Sequence, residues 1–148
     1  MIRGSSRIDI QRPVVTVYDF VVVRFFENYP RWSPEVRQLR ALTDGPVALG
    51  TRGRQVRVDH GRRSETNFEV TRLEPERAAD FDGDRQARFA IRYRFTPHSA
   101  RSCTLQMDFE LKQLELFMRP FEKLIRHAIQ DGTEQTVRNI KGLIEREH

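Results

Sequence analysis

The sequence contains little cysteine and no long hydrophobic run. Cys103 is the only cysteine in 148 residues, which excludes an intrachain disulfide and makes a reducing compartment the expected location. The longest apolar-rich stretch, residues 14–26, includes Asp19 and Arg24 and is too short to span a bilayer. The N-terminal residues lack the apolar core of a secretory signal. These absences predict a cytoplasmic protein with no integral membrane segment.

The motifs of the common enzyme classes are also missing. The chain has no HExxH, GxSxG, P-loop or paired CxxC pattern. Asp80, Asp82 and Asp84 alternate as in a calcium loop, but Gly83 falls inside the run and Ile91 stands where the bidentate Glu belongs. The four histidines are scattered, at His60, His98, His127 and His148. Because no two have the i, i+4 spacing of a helical metal site, we expect neither metal nor cofactor.

Lysine is scarce, whereas arginine is abundant. Of 26 basic residues, 23 are Arg, and the formal net charge is +5. An arginine-favouring genome accounts for this bias more simply than selection for phosphate contacts. The apolar fraction is 38% and there are ten Phe, enough for a packed core. Length and composition together predict a single domain over residues 1–148.

Regular turn signals from about residue 35 onward predict a meander of antiparallel hairpins. The turns fall at residues 44–46, 60–61, 74–76, 82–84 and 97–100. Three strands between them alternate clearly, so one face of each is expected to be buried. The inward positions are Ser64, Thr66, Phe68 and Val70, then Phe89, Ile91, Tyr93 and Phe95, then Cys103, Leu105, Met107, Phe109 and Leu111.

The first part of the chain is harder to interpret than the last. Ile8 and Ile10 alternate with polar residues and predict a first strand. Residues 14–29 are rich in β-branched side chains but follow Pro13, and we favour a helix there. Two Pro-containing pairs then predict a loop that carries Trp32.

The last third predicts one long amphipathic helix, from about Leu114 to Glu145. Pro120 lies close enough to its start to be a first-turn proline. Gly132, on the apolar stripe, either admits a close neighbour or is simply tolerated. The stripe consists of Phe117, Phe121, Leu124, Ile125, Ala128, Gly132, Thr136, Ile140 and Leu143.

A curved sheet that grips a helix along one seam can enclose an apolar cavity as well as a core. We therefore expect a ligand between the sheet and the last helix. The residues selected as candidates for its cavity are Trp32, Arg54, Ser64, Thr66, Phe68, Phe89, Tyr93, Phe95, Met107, Phe109, Phe121 and Ile125.

The chain resembles the START-like superfamily, the polyketide cyclase/dehydrase and lipid-transport, or birch-allergen-like, group. The resemblance rests on IDIQRPVVTVYDFV, NYPRWSPEV with Trp32 and Pro34, LTDGPVALGTR, FEVTRLEPER, RYRFTP, CTLQMDFEL and the closing helix. It covers nearly the whole chain, and Arg24 departs from the acidic or amide residue of many relatives. It implies an α+β helix-grip fold, a seven-stranded antiparallel sheet around the C-terminal helix, with two short helices after the first strand.

Three functions remain open at this stage. The leading one is the binding of a hydrophobic small molecule such as a lipid, polyketide or quinone. The second is an aromatase/cyclase or dehydratase, which needs an acid–base group inside the cavity; Arg54, His60, Ser64, Thr66 and Tyr93 are the candidates. The third is an adaptor with an arginine-rich surface, although acidic neighbours on the same sheet face argue against specific nucleic-acid binding.

Overall fold

The computed structural model describes residues 1–85 and 87–148. The seven strands form one antiparallel sheet in the order β1-β7-β6-β5-β4-β3-β2. They are β1 (Ile2–Ile10), β2 (Val36–Ala41), β3 (Arg52–Asp59), β4 (Arg62–Glu74), β5 (Ala78–Gly83), β6 (Phe89–Ser99) and β7 (Ser102–Leu111). Because β2 to β7 follow each other as a meander, the predicted hairpins are confirmed. β1 begins six residues before Ile8, since pairing with β7 continues as far as Ile2 and Leu111.

Two short helices follow β1 and lie over the concave face of the sheet. They are α1 (Val14–Tyr18) and α2 (Phe25–Trp32), joined by a π-helical turn, Asp19–Val23. The prediction that Trp32 lies in a loop is wrong, because α2 continues through Pro30 and ends with Trp32 buried. Packing of this indole against Phe20 and Phe25 outweighs the helix-breaking tendency of the proline.

The C-terminal helix α3 (Glu122–Glu147) follows a 3₁₀-helical segment, Leu116–Phe121, that contains Pro120. The helix therefore begins later than Leu114, the predicted start. Its fully buried residues are Thr133, Val137, Ile140 and Ile144. Apart from Ile140, each lies one position beyond a residue of the predicted stripe, so the core-facing seam is rotated around the helix. None of the helices in the described part of the chain is long and apolar enough to cross a membrane.

The seam between α3 and β1 depends on a glycine. A Cβ at Gly4 would stand 2.7 Å from Thr133 Oγ1 and 2.9 Å from Ile129 Cγ2, so only glycine allows this approach. The side chain of Gln130 adds two bonds to the backbone of Ser5, one in each direction, at 3.0 and 2.8 Å. Gly132, in contrast, has no atom within 4 Å of a Cβ built on it, so no part of the protein approaches it closely.

The two glycines give a matched prediction. We expect Gly4→Ala to lower the free energy of unfolding by about 1–3 kcal/mol, because the methyl group must displace α3. Gly132→Ala should raise it by up to about 1 kcal/mol, because alanine favours the helix and meets no neighbour. Urea unfolding followed by circular dichroism measures both. Equal effects of the two substitutions would show that the seam is not tight at Gly4.

Candidate ligand-binding site

Aromatic side chains fill the central part of the concave face. The Phe25 ring stacks on Tyr29 and on Phe81, with ring centroids 4.8 and 4.4 Å apart. Phe68 packs edge-on to Phe25 at 5.8 Å. The void that remains among these rings measures about 10 Å³, the size of one water molecule. A ligand of drug size therefore has no room between α2 and the sheet in this structure.

A hydrogen-bonded polar cluster lies beside this void. The Tyr29 hydroxyl donates to Gln55 Oε1 at 2.9 Å and accepts from Arg57 Nη1 at 2.7 Å. Gln55 Nε2 donates to Thr66 Oγ1 at 3.2 Å, and Arg57 also pairs with Asp59. Burial raises the pKa of Tyr29, and nearby Arg57 only partly opposes that rise. Tyr29 is therefore a neutral phenol that holds the cluster together rather than a base.

Two buried polar atoms near this cluster form no hydrogen bond of normal geometry among the described residues. They are the Tyr93 hydroxyl and Trp32 Nε1, which lie near each other. Burial raises the pKa of Tyr93 strongly and the Trp32 side chain opposes only part of that rise, so this phenol remains protonated. An unpaired buried hydroxyl costs free energy instead of contributing it.

The open space lies at one end of the sheet. A cleft of about 520 Å³ is bounded there by the start of β4, the connection before β6, the end of β7 and the 3₁₀ segment. Its lining residues are Arg62, Arg85, Ala87, Arg88, Leu111, Gln113, Leu114, Glu115 and Met118. Its volume falls within the range of small-molecule sites, about 300–1,000 Å³.

The 3₁₀ segment and the first turns of α3 leave apolar side chains uncovered. Asn139 Nδ2 donates to the carbonyl oxygen of Trp32 at 3.0 Å, which marks the side of α3 that faces α2. Ala128 and Leu124 lie within about 60° of Asn139 around the helix axis, because 3.6 residues complete a turn. Leu124 is about 160° from the buried Ile140 by the same geometry. Leu124 is 68% exposed, and Phe121 in the 3₁₀ segment is 58% exposed, so the N-terminal part of the predicted apolar stripe is exposed.

The twelve candidate residues separate into four groups. Six are core residues with almost no solvent contact: Trp32, Phe68, Phe89, Tyr93, Phe95 and Met107. Thr66, Phe109 and Ile125 are half-buried, and Ser64 and Phe121 are exposed.

Arg54, the twelfth candidate, lies on the outer face, bonded to Glu65 and Asn67, so its expected inward position was wrong. The inward residues of β3 are polar or small, namely Gly53, Gln55 and Arg57. Gly53 lies directly under the Phe68 ring. The Tyr29 hydroxyl forms hydrogen bonds with Gln55 and Arg57.

Sequence reasoning missed the arginines of the cleft. A usable signal was present, because alternate turns of an antiparallel meander lie at the same end of the sheet. The β3–β4 turn, the β5–β6 connection and the segment after β7 must therefore meet. Arg62, Arg85 and Arg88 occupy the first two of these, and Leu114 and Met118 the third. Separately, Phe89 lines the inner void while Leu111, its partner across β6 and β7, lines the cleft.

The arginines on the outer face of the sheet are mostly paired with carboxylates. Arg92 bridges Asp80 at 3.0 Å and Glu110 at 3.2 Å. Arg3 pairs with Asp108 at 2.6 Å. This pairing removes much of the support for an adaptor that binds through a basic sheet face. In the part of the chain that the structure describes, no three His, Cys, Asp or Glu side chains are grouped to hold a metal.

Tyr29 and Tyr93 allow a matched test of the interior. Tyr29→Phe should lower the free energy of unfolding by about 1–3 kcal/mol, because Gln55 Oε1 and Arg57 Nη1 lose their hydrogen bonds to the hydroxyl. Tyr93→Phe should leave stability unchanged or increase it, because it removes a buried hydroxyl that lacks a well-formed hydrogen bond. Chemical unfolding of both variants gives the comparison. A destabilisation as large for Tyr93→Phe as for Tyr29→Phe would mean that the Tyr93 hydroxyl has a bonding partner.

Comparisons with known proteins identify the family. Three similar solved structures have low sequence identity but cover almost the whole chain. The Zhui aromatase/cyclase from Streptomyces sp. R1128 is 12% identical, with a TM-score of 0.76 over 97% of this chain and 93% of that one. A START superfamily protein from Mycobacterium smegmatis is 18% identical, with a TM-score of 0.74 over 100% of both chains. Norcoclaurine synthase from Thalictrum flavum, a point mutant with a transition-state analogue, is 13% identical, with a TM-score of 0.72 over 97% and 94%.

These likenesses confirm the helix-grip fold. No curated protein matches the sequence. The family model for polyketide cyclase / dehydrase and lipid transport matches residues 1–145. The chain therefore belongs to that family.

Proposed function

We propose that the protein binds a hydrophobic small molecule in the cleft at the open end of the sheet, against the 3₁₀ segment and the first turns of α3. The observation that carries the proposal is the group of exposed apolar side chains in these two elements. Leu116, Phe117 and Phe121 in the 3₁₀ segment and Leu124 in α3 are each 58–75% exposed. Several large apolar side chains exposed near one another favour a binding site. The family description, which includes lipid transport, supports the same function.

The size of the cleft agrees with a ligand of modest affinity. Covering about 300 Å² of apolar surface would contribute about 7 kcal/mol, at roughly 25 cal/mol per Å². Association and ordering of the ligand oppose part of that gain. We therefore expect a neutral apolar ligand to bind with a dissociation constant weaker than about 10 μM.

Binding is a better proposal than catalysis for this cleft. None of the five polar candidates for acid–base work lines the cleft or the inner void, as far as the described residues go. Those candidates are Arg54, His60, Ser64, Thr66 and Tyr93. The similar aromatase/cyclase and norcoclaurine synthase share the fold at 12–13% identity, which carries no catalytic residue over to this chain.

Two leucines of matched exposure test the location of the ligand. Leu124 on α3 is 68% exposed and Leu49, in the β2–β3 loop, is 67% exposed. Leu124→Asp should weaken the binding of the neutral fluorescent probe N-phenyl-1-naphthylamine at least about tenfold, because it places a charge against the apolar ligand. Leu49→Asp should leave binding unchanged, and neither variant should unfold the protein, since both positions are exposed.

The readouts are probe titration and the ligand-induced rise in melting temperature. Native mass spectrometry of protein from its own host would identify a co-purified ligand. Failure of the wild-type protein to bind the probe, or equal loss in both variants, would contradict the proposal.

A further inference from the structure

Three guanidinium groups border the cleft on the sheet side. Arg62 begins β4, and Arg85 and Arg88 lie in the connection that precedes β6. None of the three forms an ion pair with a carboxylate among residues 1–85 and 87–148, whereas Arg92 and Arg3 on the outer sheet face are paired. Among the described residues that line the cleft, Glu115 is the single acidic one. The described lining therefore carries an excess of positive charge.

Arg88 is held in place by its surroundings. Its backbone is left-handed, with φ at 53°, a region that non-glycine residues seldom occupy. Its Nη1 donates to Gln113 Oε1, and its Nε donates to the Arg85 carbonyl oxygen at 3.2 Å. These bonds orient the guanidinium before any ligand arrives, which reduces the entropy lost on binding.

The cleft lining also contains apolar side chains. They are Leu111, Leu114 and Met118. Beyond them along the chain, Phe121 in the 3₁₀ segment and Leu124 in the first turn of α3 are exposed. Arginines and apolar side chains that line one cleft match a molecule with a charged head and an apolar chain.

We propose that the ligand is an amphiphile whose oxyanion head, a carboxylate or phosphate monoester, binds Arg62, Arg85 and Arg88 while its apolar chain lies along the 3₁₀ segment and the first turn of α3. This inference rests on the proposed function and adds the chemical class of the ligand. Arginine is suited to the role because its planar fork can donate two hydrogen bonds to one oxyanion.

Three ligands with the same chain test it: decanoate, decyl phosphate and decanol, each below its micelle concentration. They are measured by displacement of N-phenyl-1-naphthylamine, which is itself neutral. Wild-type protein should bind both anions about tenfold or more tightly than decanol, since charge-assisted bonds outweigh neutral ones. In R62Q/R85Q the ratio of the affinity for either anion to the affinity for decanol should fall to near one, while the affinity for decanol stays the same.

The double variant R40Q/R101Q is the control. Both of its arginines are exposed and lie outside the cleft lining, so it removes the same charge and should keep the wild-type preference. Equal affinity for decanol and decanoate would overturn the inference and leave the proposed function intact. No binding of any of the three ligands would overturn both. Inorganic phosphate that competes as well as decyl phosphate would indicate a bare anion site, which also contradicts an amphiphile.

Discussion

The position of α3 on the edge strand β1 determines where this protein has free space. The close approach at Gly4, the paired bonds between Gln130 and Ser5, and the bond from Lys141 to the Asp9 carbonyl oxygen at 2.6 Å hold the helix from Ile129 onward. Phe121 and Leu124, which precede these contacts, are 58% and 68% exposed.

The filling of the concave face has the complementary effect. Phe25, Tyr29 and Trp32 come from α2 and occupy the space in which a ligand could otherwise lie against the middle of the sheet. Their presence forces polar groups of β3 to be satisfied internally, and the Tyr29 hydroxyl does so for Gln55 and Arg57. The phenols of this interior stay neutral because burial raises the pKa of Tyr29 and of Tyr93. The interior is thus packed with side chains of the protein, and the cleft at the end of the sheet is open.

Much of the fold could be predicted because inward and outward positions alternate regularly in strands β4, β6 and β7. The predicted inward residues are buried from Phe68 onward in β4, from Phe89 to Phe95 in β6, and at Cys103 and Leu105 in β7. Strand β3 could not be oriented in this way, because its inward side carries Gln55 and Arg57 while Val56 and Val58 point outward. The polar residues of β3 face inward because they form hydrogen bonds with the Tyr29 hydroxyl. This is a contact between distant parts of the chain, which the local pattern of β3 does not reveal. The site was predicted less well for a similar reason. The apolar stripe of α3 was visible, but its exposure depends on where Gly4 places the helix, and the arginines of the cleft come from separate turns.

Phe89 links the two regions. Its ring lines the water-sized inner void and stacks on Phe109 at a centroid distance of 6.1 Å, and its strand partner Leu111 lines the cleft. One layer of side chains therefore separates the packed interior from the open end. Substitutions in this layer and along residues 111–118 can change the shape and charge of the cleft without disturbing the seam between β1 and α3 from Ile129 onward. A fold divided in this way, with a fixed seam and a variable end, can serve many ligands.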